Sequence, residues 1–256
     1  MLNYLSAELW RMSRRRTALL GWGFFLLLTA LAGLLWGMTN TAEVMEAFAD
    51  LLLLGLYVVF PLAAWADGEA SRGGQLHNEV SFGLSRPRIY LGKLWAALIA
   101  GLILFLLTGA VFFGITLPLV GGNPVGADAL FFARSRLIRE VLIALPRYVG
   151  ALALAYFLCT ALRTPGLGAI LFYLYITFGE LTLAAIEING LGMVGKVMNA
   201  FSHAVRPYLL SSAFITYYGN AFERPGVAAS WVTGLIWLVL TSAVGLFLFR
   251  RREIRT

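Results

Sequence analysis

The chain has 256 residues, of which 60% are hydrophobic and only 13% charged, and its mean hydropathy of +0.80 is far from that of a water-soluble domain. It therefore reads as an integral membrane protein. The net charge of +7 and pI near 9.9 do not point to nucleic acid, because the basic residues flank apolar runs, as membrane insertion itself selects. A single cysteine, Cys159, excludes an intrachain disulfide and any CxxC metal or redox site.

Residues 1–17 place Leu2, Leu5, Leu9 and Met12 at helical spacing and end in the basic run Arg14, Arg15, Arg16. The pattern predicts an amphipathic interfacial helix with its basic end toward anionic headgroups. The apolar run that follows is long enough to span and has no small-residue cleavage site, so it is expected to be kept rather than removed as a signal peptide.

Runs near the ~20 residues needed to cross a ~30 Å hydrocarbon core predict six spans, at 18–38, 47–66, 94–117, 137–160, 166–186 and 227–249. The expected fold is thus an all-α integral membrane protein in one domain. Arg139, Glu140, Pro146 and Arg147 interrupt the fourth run, which predicts a kinked or interfacial first half. With the N-terminus inside, 13 of the 20 Lys and Arg residues fall in the cytoplasmic segments and 7 outside, which favours cytoplasmic termini in a cell inner (plasma) membrane. The cluster from Arg134 to Arg147 dissents from that bias. Between spans five and six, 187–226 mixes Gly, Pro and aromatics with short apolar stretches at 204–210 and 214–218, which reads as re-entrant or interfacial helices.

Several motifs fail on context. GLGMVGKV at 190–197 resembles a phosphate-binding loop, but Val197 stands where a Ser or Thr hydroxyl is needed, and a span precedes it rather than a strand. SRGGQ at 71–75 echoes an ATPase signature without any soluble nucleotide-binding domain around it. His77 and His203 have no His or Cys at ligand spacing, so neither a metal nor a cofactor is expected. The chain is not expected to be an enzyme. Gly33 and Gly37 form a G-x-x-x-G compatible with packing inside one subunit or between two. Trp22, Trp36, Phe112, Phe113, Phe172, Tyr173 and Tyr175 suit either an apolar cavity or lipid. Glu180, inside the fifth run, costs ~2.5–3.5 kcal/mol in hydrocarbon, and Glu187 falls on roughly the same helical face. Two readings stand: a polar lining for a translocation path or a contact for a cationic substrate, or a carboxylate that snorkels outward or pairs with Arg139 or Arg147.

The polar island 67–93, DGEASRGGQLHNEVSFGLSRPRIYLGK, is too long for a hairpin and too short for a domain. Leu76, Val80 and Leu84 at i, i+4, i+8 predict a short amphipathic helix suited to another protein's groove, with Glu69, Arg72, His77 and Glu79 around it. The six spans, the basic amphipathic start, NEVSFGLSRPRIYLGK at 78–93 and the closing RRREIR resemble the permease subunit of an ABC-2 type transporter, most like the small permeases of antibiotic-peptide resistance and lantibiotic immunity. The resemblance covers the whole chain, mostly as architecture. It implies export of an amphipathic or lipid-like substrate, a separate ABC ATPase subunit, and a second copy of the chain or a similar permease. It also implies that 67–93 carries a coupling helix contacting the ATPase through Glu69, Arg72, Leu76, His77, Glu79, Val80 and Arg86. Arg86 and Lys93 equally suit plain positive-inside anchors. The competing classes are an ATP-independent secondary transporter or channel and a non-transporting scaffold or sensor subunit. A three-plus-three comparison of the spans gives no convincing internal repeat to favour the first of these.

Overall fold

A computed structural model describes residues 2–67, 79–81, 83–121, 125–162, 164–186, 192–212 and 226–251, and within them the side chains other than those of 2, 165, 180–186 and 192. The described residues are helical, with no strand among them. In chain order they form α1 (Leu2–Arg14), α2 (Arg16–Leu35), α3 (Thr41–Asp67), α4 (Arg86–Val120), α5 (Ala127–Ala161), α6 (Pro165–Ile186), α7 (Gly192–Val205), a 3₁₀ turn (Arg206–Tyr208) and α8 (Val227–Arg251).

Helices α2, α3, α4, α5 and α8 are long and apolar enough to cross a membrane. The fifth apolar run is helical too, as α6, with its described apolar part at Gly166–Gly179. Outward-facing leucines such as Leu20 and Leu35 on α2, 74% and 80% exposed, suit lipid and not water. The chain is an all-α, multi-pass membrane protein.

The helices outrun the hydropathy windows. Helices α4 and α5 have 35 residues each, about 52 Å at 1.5 Å per residue, against ~30 Å of hydrocarbon. Helix α4 therefore starts eight residues before the predicted span, at Arg86. Ser85 is extended in the N-cap position and Pro87 sits in the first turn, where a missing N–H costs nothing. Residues 86–93 of the polar island are thus helix, not loop. Helix α5 is likewise continuous from Ala127, and Arg147 lies mid-helix rather than at a break. The dissenting basic cluster rides on this extension: Arg136 donates to Asp50 Oδ1 at 2.7 Å and lies 3.6 Å from Glu46 Oε2, both on the first turns of α3.

Helix α5 is the centre of the bundle, packing against α3, α6 and α8, while α4 joins α3, α2, α1 and α8. One apolar core gathers Leu56, Phe60, Tyr90, Leu94, Tyr156, Phe172 and Phe249 around these helices. A second, at the end where α3 begins, joins Val44, Phe48, Leu52, Phe112 and Ala144. That end is called distal below, and the end carrying α1 and the close of α8 proximal. Asn40 caps α3, its Oδ1 accepting from the Glu43 amide at 3.1 Å while the Glu43 carboxylate accepts from the Thr39 amide at 2.7 Å, a near capping box.

Helices α5 and α8 meet backbone to backbone. A Cβ on Gly234 would run into the Pro146 carbonyl, and one on Gly150 would stand 3.0 Å from the Gly234 carbonyl. Small residues at such a crossing let dispersion and weak polar contacts act at short range. Gly33 plays the same part inside the subunit: a Cβ there would lie 2.8 Å from Thr116 of α4, so half of the G-x-x-x-G is used internally. Gly37 lies past the end of α2 with φ +66°.

Gly234→Ala forces a methyl group against backbone that cannot swing aside. It should destabilise the protein by about 1–3 kcal/mol or more, read as an earlier thermal aggregation midpoint in detergent. Gly114→Ala, a position with open space around it, should match wild type.

Candidate functional site

The polar island leaves α3 at Asp67, and its described part resumes at the helical residues 79–81. These end in a Schellman cap: the Leu84 amide donates to the Glu79 carbonyl at 3.2 Å, the Gly83 amide to Val80 at 2.9 Å, and Gly83 takes φ +82°. A left-handed residue there is nearly free for Gly and costly for others. Val80 and Leu84 pack against the bundle core. The expected stripe is therefore present at these two positions, and it faces the chain's own helices.

Glu79 is turned inward with them. Its carboxylate accepts from the Tyr4 hydroxyl at 3.3 Å and lies 3.5 Å from both Arg11 Nη1 and Lys93 Nζ. Arg11 also pairs with Glu8, one helical turn back on α1. Two carboxylates and two cations thus form a cluster of zero formal charge among α1, the 79–81 turn and α4. Lys93 is only 3% exposed and Glu8 4%, so these are desolvated ions whose mutual satisfaction matters. Burial, then the charges of Glu8 and Glu79, push the Tyr4 phenol above its ordinary pKa, which keeps it a hydrogen-bond donor.

Helix α1 is accordingly docked on the bundle. Leu5, Leu9 and Met12, expected to enter the membrane interface, pack on the core. The Tyr4 ring lies over Gly92 of α4, where a Cβ would meet it. Trp10 stays 63% exposed, with the Arg14 guanidinium over its ring at 5.1 Å, and Arg15 Nη1 donates to the Trp65 carbonyl at 3.0 Å.

Arg86 links the same region to the last helix. Its Nη1 donates to the Arg250 carbonyl at 2.9 Å, a cation at the negative end of α8. Of the predicted contact residues, Glu79, Val80 and Arg86 are thus brought to one face of the bundle, and all three are engaged with it. Glu69, Arg72, Leu76 and His77 lie outside the described residues, as does Glu187; Glu180 is in helix α6, its side chain undescribed. Of 190–197, the part from Gly192 forms the first turns of α7. Phe112 and Phe172 are fully buried in the chain's own cores.

A second polar centre sits at the distal end. Arg147 is fully buried, and its guanidinium donates to Ser230 Oγ at 3.2 Å, Ser212 Oγ at 3.0 Å, the Pro207 carbonyl at 3.2 Å and the Leu209 carbonyl. It pins the 207–212 segment over the α5–α8 crossing, helped by Thr233 Oγ1 and Trp237 Nε1, which donate to the Pro207 and Tyr208 carbonyls. Sequence reasoning offered Arg147 as a partner for Glu180 and missed this clamp. It also missed Tyr4, Glu8, Arg11 and Lys93 as one cluster. The available signal was Glu8, an acid inside the apolar stripe of α1, which lipid would not accept but a protein partner would.

No protein-family model matches the chain and no curated protein matches it.

Lys93→Met and Glu79→Gln should each cost about 3–5 kcal/mol, because either leaves a buried charge short of its partner. Combined, they should cost clearly less than the sum, a coupling measurable by a double-mutant cycle of thermal stability.

Proposed function

We propose that this chain is the permease subunit of an ABC-2 type transporter, driven by separate ABC ATPase subunits. It would work with a second copy of itself or a similar permease, exporting an amphipathic peptide, antibiotic or lipid-like substrate across the inner membrane. The observation that carries the reading is Glu79, through which the polar island is tied to α1 and α4 at once. Arg86 adds α8. A force reaching Glu79 is therefore passed to α1 and α4 through direct contacts, and Arg86 joins α4 to α8.

That is what a coupling element requires. Closure of a partner ATPase becomes rigid-body motion of packed helices only if the contact surface and the helices move together. On this reading both termini are cytoplasmic, the proximal end faces the ATPase, and hydrolysis is the partner's chemistry. On this reading Glu69, Arg72, Leu76 and His77 are assigned to the contact, and Glu79, Val80 and Arg86 tie the described part of the island to the bundle. Glu180 and Glu187 are assigned to the translocation path. The exposed residues Ser81, Ser85 and Arg88 extend the docking face.

The test is whether an ABC ATPase subunit co-purifies with this chain from its native membranes. Affinity-tagged wild type should retain it. Leu76→Asp and Arg88→Glu should lose it while eluting from size exclusion as wild type does. Glu79→Gln combined with Lys93→Met should keep the ATPase bound but uncouple hydrolysis from transport. A tagged chain that brings down no ATPase, and whose deletion leaves antibiotic-peptide sensitivity unchanged, contradicts the proposal.

A further inference from the structure

The cleft among α2, α3, α4 and α5 carries a separate inference, which does not rest on the ATPase reading. We infer that it holds one acyl chain of a bilayer phospholipid. Its internal volume is about 120 Å³, comparable to an apolar cavity of about 150 Å³ that stays dry and takes up benzene. Phe25, Phe48, Val58, Phe105 and Leu145 represent the lining from the four helices.

Two side-chain hydroxyls reach the wall, and both are already donating to backbone. Thr108 donates to the Leu104 carbonyl at 2.8 Å, and Tyr148 to the Leu52 carbonyl. The wall offers no side-chain donor to a ligand, and a polar group entering it would lose its water without replacement. Hydrocarbon loses nothing there. It replaces missing contacts along the walls with dispersion attraction.

The shape selects a chain over a compact hydrocarbon. The lining extends from Phe48 to Leu62 on α3 and from Leu98 to Thr108 on α4, about 21 Å and 15 Å at 1.5 Å per residue. One leaflet of a ~30 Å hydrocarbon core is about 15 Å deep. The cleft thus runs along the helices for roughly one leaflet. Its distal end at Phe48 lies between Glu46 and Asp50, whose half-exposed carboxylates meet Arg136. Charged side chains there mark the level at which a headgroup leaves hydrocarbon, so the occupant belongs to the leaflet at the distal end. Gly101 forms part of the floor, where an added Cβ would meet Leu152 at 3.3 Å and Leu62 at 3.7 Å, both lining residues.

The experiment places the full chain in nanodiscs doped with a phospholipid bearing a diazirine midway along one acyl chain, irradiates it, and maps the adducts by peptide mass spectrometry. Label should be several-fold richer at Val58 and Gly101 than on the outward face of α4 at Leu106, which is 62% exposed. Gly101→Leu and Val58→Phe, filling the cleft from two walls, should each reduce cleft labelling several-fold, and Leu106→Phe should leave it unchanged. If one filling variant aggregates, the other and the wild-type cleft-to-surface ratio decide. Cleft labelling no richer than at Leu106, or undiminished by filling, overturns the inference. Cleft labelling by a diazirine fatty acid but not by the phospholipid overturns the assignment to a phospholipid.

Discussion

The ion cluster around Glu79 is the constraint on which the proximal half of the structure depends. Three segments distant in sequence supply its members: Tyr4, Glu8 and Arg11 from α1, Glu79 from the polar island, and Lys93 from α4. Each member alone is poorly placed, since a desolvated carboxylate or ammonium is costly unless met by an opposite charge. Together they neutralise one another, and the geometry that achieves this fixes where α1 lies and which way the 79–81 turn faces.

At the other end Arg147 does comparable work with different chemistry. Its guanidinium gathers carbonyls and hydroxyls from 207–212 and α8, so the described 207–212 segment is held over the crossing of α5 and α8 with several of its carbonyls met in an apolar setting. Gly234 and Gly150 make that crossing close enough for the side chain to reach. Both ends of the bundle are thus organised by a buried cation, with tightly packed apolar helices between them.

Much of the fold was legible because hydropathy reports directly on what lipid tolerates. The apolar runs emerged as helices at nearly the expected places. Their lengths did not, because residues 86–93 and 127–136 continue a helix beyond any apolar window, and Pro87 starts a helix rather than breaking one. The docking of α1 was hidden for a related reason: in a membrane protein an apolar stripe fits lipid and protein equally well, and only Glu8 within it discriminates. The cluster itself was out of reach, since Lys93 and Arg11 meet Glu79 through tertiary structure and neither spacing nor periodicity encodes that meeting. An outward role for Glu79 was inferred from its place beside the stripe, whereas its carboxylate turns toward α1 and α4.

The central claim is that the 79–81 turn of the polar island is clamped to α1 and α4. It is tested most directly by a pulsed-EPR distance between spin labels at Ser6 on α1 and Ser81 in the island, both exposed, in a background where the buried thiol of Cys159 is replaced by Ala. The account predicts one narrow distance distribution that broadens markedly when Glu79→Gln and Lys93→Met are combined. A broad distribution in the starting background, or a narrow one unchanged by breaking the cluster, would contradict it.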